Sequence, residues 1–171
     1  YWDLGGHEAE ADLWFTRALD GLPERPSVLR ARLLALRAEA RLGLGRFEEG
    51  LVDALTAEAE GVDLGDDRSA GRAAWTLAAM TGYVDLDEWR ALSERSIERL
   101  ERSGDRWALT EAQCWRAVPH LQRGRNREGV AALDEAWPDV EALGNPTLLS
   151  GWLLWRSFPL LSAGEFLEAR R

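Results

Sequence analysis

Gly104-Asp105-Arg106-Trp107, followed by Trp115-Arg116-Ala117-Val118-Pro119, Gly124 and on to Leu143, decides the fold. The stretch reads as helix, glycine turn, helix, and its marks return along the chain. Gly65-Asp66 and Gly144-Asn145 stand 39 and 40 residues from Gly104-Asp105. Trp75, Trp115 and Trp155 are spaced 40 and 40. A mid-unit glycine recurs at Gly6, Gly45, Gly124 and Gly164, and is missing from the unit near Leu86. Three independent marks on one period of about 40 predict an all-α stack of antiparallel helix hairpins.

Reading outward, a first helix is expected over residues 7–20, with Ala11, Leu13, Trp14, Ala18 and Phe15 as its apolar side, closed by Gly21-Leu22-Pro23. A second runs from Pro26-Ser27 to about Leu44. Its partner runs from Arg46 to Glu60, with Phe47, Leu51, Ala54, Leu55 and Ala59 inward, and Gly61 to Gly65 is the link to the next hairpin. Asp66 or Asp67 caps the helix that follows, to about Thr81. After an irregular join at Thr81-Gly82-Tyr83-Val84, Asp85 or Asp87 caps a helix to about Ser103. Asp105 opens the next, in which Pro119 removes a hydrogen bond and predicts a kink or an early end. Its partner covers 125–143, with a bend or break expected near Trp137 because of Pro138. Pro146 takes a first-turn position, where its missing amide costs nothing. Gly164-Glu165-Phe166 starts a further helix. No long segment alternates with a period of two, so no sheet is expected. The whole is taken as one repeat domain over residues 1–171, about four hairpins, truncated at both ends.

Small residues recur where helices should cross. Ala11, Gly50, Gly129 and Ala169 lie five residues after a turn, Ala91 fills that role in the irregular unit, and Ala38, Ala117 and Ser157 lie seven before one. Such residues let two backbones approach closely.

Composition excludes several classes. Apolar residues make up 46% and charged residues 30%, a balance of globular rather than disordered chains. The net charge of −9 argues against direct binding to nucleic acid. All 21 basic residues are arginine, as in proteins from GC-rich bacterial genomes. One cysteine, Cys114, rules out an intrachain disulfide and a cysteine-rich metal site. The most apolar run, Leu148 to Leu161, is too short to span a bilayer and contains Arg156 and Pro159. The chain reads as a piece of a longer cytoplasmic protein, with no membrane contact and no cofactor.

Leu44-Gly45-Arg46-Phe47-Glu48-Glu49-Gly50 resembles the middle of a tetratricopeptide repeat, and Gly164-Glu165-Phe166-Leu167-Glu168-Ala169 resembles the same junction. Gly6-His7, Gly104-Asp105-Arg106-Trp107 and the Gly-Asp or Gly-Asn helix openings are similar to the repeat region of large bacterial LuxR-type, ATPase-containing transcriptional regulators. The resemblance implies a right-handed superhelical stack, with first helices lining a concave side and second helices an outer side. It also implies flanking domains that hydrolyse nucleotide and read DNA.

No catalytic constellation is visible. His7 and His120 lack metal-ligand spacing, and the acidic pairs at helix starts are explained by the helix dipole. What remains is a charge asymmetry: first helices are net positive and second helices strongly acidic. Arg37, Arg116 and Arg156 share one repeat position, eight residues before each turn. Two readings stand for these arginines and for Trp75, Trp115 and Trp155. They serve packing and ion pairing between helices, or they line a groove that grips an acidic or amphipathic ligand. The sequence therefore favours a non-enzymatic module that binds a protein segment, another domain of its parent chain or a small effector. The alternative is a structural spacer or self-association module.

Overall fold

The computed structural model describes residues 6–81, 85–162 and 164. Among the described residues every regular element is a helix and there is no strand. In chain order these are α1 Glu8–Asp20, α2 Val28–Gly43, α3 Phe47–Leu64, α4 Asp67–Thr81, α5 Leu86–Ser103, α6 Arg106–Trp115, α7 Val118–Gln122, α8 Asn126–Leu143 and α9 Pro146–Ser162. The packing divides after Arg106 into two compact units. The irregular join expected at 82–84, the tail before Gly6 and the helix start after Gly164 lie outside the described residues.

The turns are set by glycine. Gly45 and Gly124 take φ of 72° and 69°, a left-handed conformation that a Cβ disfavours. The amides of Arg46 and Arg125 then donate to the carbonyls of Arg41 and His120, both at 2.9 Å. This closes each helix end in the same way. The following residues match as well: Arg46 has φ −87° and ψ 61°, and Arg125 has −84° and 62°. One turn design is thus used in both units. Gly65, Gly104 and Gly144 are also left-handed, at φ 69°, 71° and 59°, and mark the joins between hairpins.

Helix starts are capped by side chains. Ser27 Oγ accepts from the Arg30 amide, and Asn145 Oδ1 accepts from the amides of Thr147 and Leu148. Asp66, not Asp67, caps α4 by accepting from the Ser69 amide at 3.2 Å. Asp67 faces Arg99 and Arg102 of α5 instead. Asp85, not Asp87, caps α5 by accepting from the amides of Asp87 and Glu88.

In the first unit α1 packs on α2, α2 on α3, α4 on both α2 and α3, and α5 on α4. The core is built largely of alanine. Ala31, Ala35, Ala38, Ala54, Ala57, Ala70, Ala73 and Ala74 are fully buried, with Leu34 among them. Side chains this short bring helix axes close. A Cβ added at Gly50 would lie 3.3 Å from the Ala38 carbonyl oxygen. In the second unit a Cβ at Gly129 would lie 3.4 Å from that of Ala117. The expected small-residue crossing is present in each unit at equivalent positions, but Ala91 is exposed rather than at a crossing, and Ala169 lies outside the described residues.

Four expectations are corrected. The helix begun at Phe47 does not end at Glu60 but continues to Leu64. Gly61 is a contact residue within it, because a Cβ there would lie 2.6 Å from Ser69 Oγ and 2.8 Å from the Ala70 amide nitrogen. The inward face of α3 is not Phe47, Leu51, Leu55 and Ala59, which are exposed, but Gly50, Asp53, Ala54, Ala57, Glu60 and Gly61. Close approach admits only small residues and paired carboxylates there, so the bulky apolar ones are turned outward. Leu13 and Trp14 of α1 are half exposed for all their apolar character. Finally, α8 runs through Pro138 without the expected break near Trp137. Leu133, Ala136 and Val140 are buried on either side of the proline, and Trp137 lies 4.4 Å from the Trp152 ring centroid of α9. That packing outweighs the lost hydrogen bond. Pro119 acts as expected: α6 stops at Trp115 and α7 restarts at Val118.

Glycine substitutions should separate contact, turn and idle positions in urea melts. Gly61→Ala is expected to lose about 1–3 kcal/mol through overpacking. Gly45→Ala should lose about 1 kcal/mol through the left-handed backbone. Gly151→Ala, where a Cβ meets nothing within 4 Å, should gain roughly 0.5–1 kcal/mol of helix propensity.

The Arg32 guanidinium, aided by hydrogen bonds from Ser69, holds the Asp66 carboxyl below the usual carboxylate range. A depressed folded-state value means stability present above about pH 4 and lost as pH falls through that value. Asp66→Asn keeps a capping side chain but not the charge. Its stability deficit against the parent chain should therefore shrink between about pH 5 and pH 2.

Candidate functional site

The six residues singled out by the sequence fall in different units. Arg37 and Trp75 belong to the first; Trp115, Arg116, Trp155 and Arg156 belong to the second.

Arg37 sits on α2 and donates through Nε and Nη2 to the two carboxylate oxygens of Asp53 on α3, both at 2.7 Å. Arg41, one turn on, donates to the same Asp53 at 2.7 Å and to Asp12 of α1 at 2.9 Å. Arg46 also pairs with Asp12. Asp53 and Asp12 are buried. Arg30 pairs with buried Glu60, and buried Arg72 of α4 makes a two-pronged contact with Glu39 of α2 at 2.8 and 2.9 Å. Arg68 and Arg72 both reach Asp105. The excess of positive charge on α2 is thus spent on carboxylates of the helices beside it. Arg37 is an internal clamp with a bidentate, charge-assisted geometry. Trp75 is partly buried on α4, between buried Ala74 and Thr76.

The second unit does bring its four residues together. The Trp115 and Trp155 rings touch, with centroids 5.7 Å apart and planes tilted by 56°. Arg116 donates to Glu135 of α8, and Arg156 donates to the preceding residue, Asp134, each at 2.7 Å. The Arg156 guanidinium also lies 5.4 Å from the Trp152 ring centroid. Trp152 is buried and donates its indole N–H to the Leu133 carbonyl at 2.7 Å. Beneath lies the core of the unit, Ala117, Leu133, Val140, Leu148 and Trp152.

One feature of this unit escaped the reading of single residues. α9 carries one charged residue, Arg156, in its whole length. Leu148, Trp152 and Leu160 face inward. Leu154, Phe158 and Leu161, at i, i+4 and i+7, point the other way and are exposed, Phe158 by 67%. A helix apolar all round is a helix covered on both sides. The signal was in the sequence as the missing polar face of Leu148 to Leu161, which was weighed only as a membrane span. No helix among the described residues is long and apolar enough to cross a membrane.

Chemistry is sparse. Burial, with Glu111 nearby, pushes the Cys114 thiol up to about 12, so it stays protonated and unreactive near neutrality. Among the described residues no three His, Cys, Asp or Glu side chains gather as a metal would need. No family model, curated protein or solved structure matches the chain.

The two classes of arginine pair should behave differently in equilibrium unfolding. Asp53→Ala strands Arg37 and Arg41 inside the first unit and should cost about 3 kcal/mol. Glu135→Ala removes a pair whose two side chains are 42% and 69% exposed. It should cost less than about 1 kcal/mol.

Proposed function

We propose that this chain is a helical-repeat binding module that grips a polypeptide segment against α9 and performs no chemistry of its own. The observation that carries the reading is the exposed apolar face Leu154, Phe158 and Leu161, edged by the Trp115–Trp155 pair. Contiguous apolar surface of this kind marks interaction sites. Aromatic side chains supply the anchoring area that such sites depend on. Arg156 lies on the opposite side of α9, held by Asp134 and Trp152, so the face itself is purely apolar. A protonated, part-buried thiol and the lack of converging acid, base and nucleophile at this face favour binding over catalysis.

The same reading takes the hairpins as a right-handed, tetratricopeptide-like stack with a period of about 40. Its support is the shared Gly45 and Gly124 turn and the paired crossings at Gly50 and Gly129. The resemblance of Gly6-His7, Gly104-Asp105-Arg106-Trp107 and the Gly-Asp or Gly-Asn helix openings to LuxR-type regulators then makes the parent a cytoplasmic bacterial transcriptional regulator. The segment bound would come from another protein or another domain of that regulator. Engagement would act by shifting how neighbouring hairpins pack.

Photo-crosslinking tests this. A benzoylphenylalanine placed at Phe158 of the parent protein in its own cells should trap a distinct polypeptide, or a distant domain of the parent. The same group at Arg90, on the charged outer face of α5, should not. Crosslinks only to residues 165–171 would mean that the face is covered locally, and would overturn the reading. Crosslinks only between copies of this chain would replace it with the self-association module.

A further inference from the structure

The outward face of α3 is unlike those of α5 and α8. α5 exposes Asp87, Glu88, Arg90, Glu94, Arg95, Glu98, Glu101 and Arg102, an ordinary solvated surface. α8 exposes no large apolar side chain. α3 exposes Phe47 by 52%, Val52 by 63% and Leu55 by 52%, together with Leu51 and Val62. At 100° per residue, Phe47, Leu51, Leu55 and Val62 fall within one sector of about 80°, roughly 120° around the helix from the buried Gly50, Asp53, Ala57 and Gly61. The stripe is about 22 Å long from end to end, and the Glu58–Arg95 ion pair crosses it between Leu55 and Val62.

The charges on α3 say what fits it. Glu49 pairs with Arg46, Asp53 with Arg37 and Arg41, Glu58 with Arg95 and Glu60 with Arg30. The two remaining carboxylates, Glu48 and Asp63, have no ion-pair partner among the described residues, and they stand at opposite ends of the stripe. Glu48 lies in the first turn, where the helix dipole welcomes it. Asp63 lies in the last turn, where the dipole opposes a negative charge, and that turn holds no basic residue. A cation from outside would relieve that misfit. The apolar stripe asks for an apolar ridge at the same helical spacing, and its acidic ends ask for basic groups about 22 Å apart.

We propose that the outer face of α3 docks an amphipathic helix of another polypeptide, its apolar ridge on Phe47, Leu51, Leu55 and Val62 and its two basic ends on Glu48 and Asp63. This goes beyond the reading of α9, uses a different unit, and stands or falls separately from it.

The test uses three fluorescein-labelled synthetic helical peptides of about five turns with the same leucine ridge. One carries arginine at both ends, one glutamate at both ends, and one has the ridge interrupted by two glutamines. Anisotropy titrations against the whole chain at low salt should show the arginine-ended peptide binding at least tenfold more tightly than either other. Asp63→Asn with Glu48→Gln should reduce that preference several-fold. Leu51→Glu with Leu55→Glu should abolish binding while circular dichroism stays unchanged, since both side chains face solvent. Ala91→Glu on α5 should change nothing. Equal affinity for the arginine- and glutamate-ended peptides, or binding indifferent to the α3 variants, would overturn the proposal. So would a concentration-dependent dimer in sedimentation that the α3 variants dissolve, because that assigns the face to a second copy of the chain.

Discussion

The close approach of helix backbones governs this protein. At Gly61 a Cβ would meet Ser69 and the Ala70 backbone, and at Gly50 and Gly129 it would meet Met80 and Leu121 above the close-lying carbonyls of Ala38 and Ala117. Helices that come so near can bury only small residues, so the first unit has an interior of alanine with few leucines. Little apolar volume is enclosed per residue, and the helices are tied instead by arginines that reach across the narrow seams. Arg37, Arg41, Arg30 and Arg72 are the long side chains that the seams admit, because each brings a flexible apolar stem and meets its carboxylate at the far end.

That constraint also decides where the bulky residues go. Phe47, Leu51 and Leu55 have the spacing of a core-facing stripe, yet they face out, and Asp53 and Glu60 face in. An inward face chosen by hydrophobicity alone would be wrong by about a third of a helix turn. Asp53 and Glu60 of α3 are buried because Arg37, Arg41 and Arg30 of α2 receive them. The asymmetry of charge between first and second helices is therefore a pairing code between neighbours, at least in the first unit. It accounts for Arg37 without any ligand.

Much of the fold was legible because it is written in backbone-specific residues. The left-handed glycines, the capping Ser27, Asp85 and Asn145, and the stop at Pro119 act through local geometry, which a sequence carries directly. Gly61 and Pro138 were misread for the complementary reason. Each has a local meaning, link or break, that tertiary packing overrode: a tight crossing for one, the Trp137–Trp152 contact for the other. The candidate site was legible in part. The shared period brought Trp115 to Trp155, but the period is blind to what lies opposite, and so missed the apolar back of α9.

The alanine interior has a consequence for how this chain can vary. In most domains the dangerous core mutation deletes volume and leaves a hole. Here a methyl group is often all there is to delete, so truncation at Ala35, Ala57 or Ala73 has little to remove beyond that one carbon. Enlargement is the hazardous direction, since even one added carbon must prise two helices apart. Sequence drift within such a protein should run freely along the outward surfaces while the seams stay locked to the smallest side chains available.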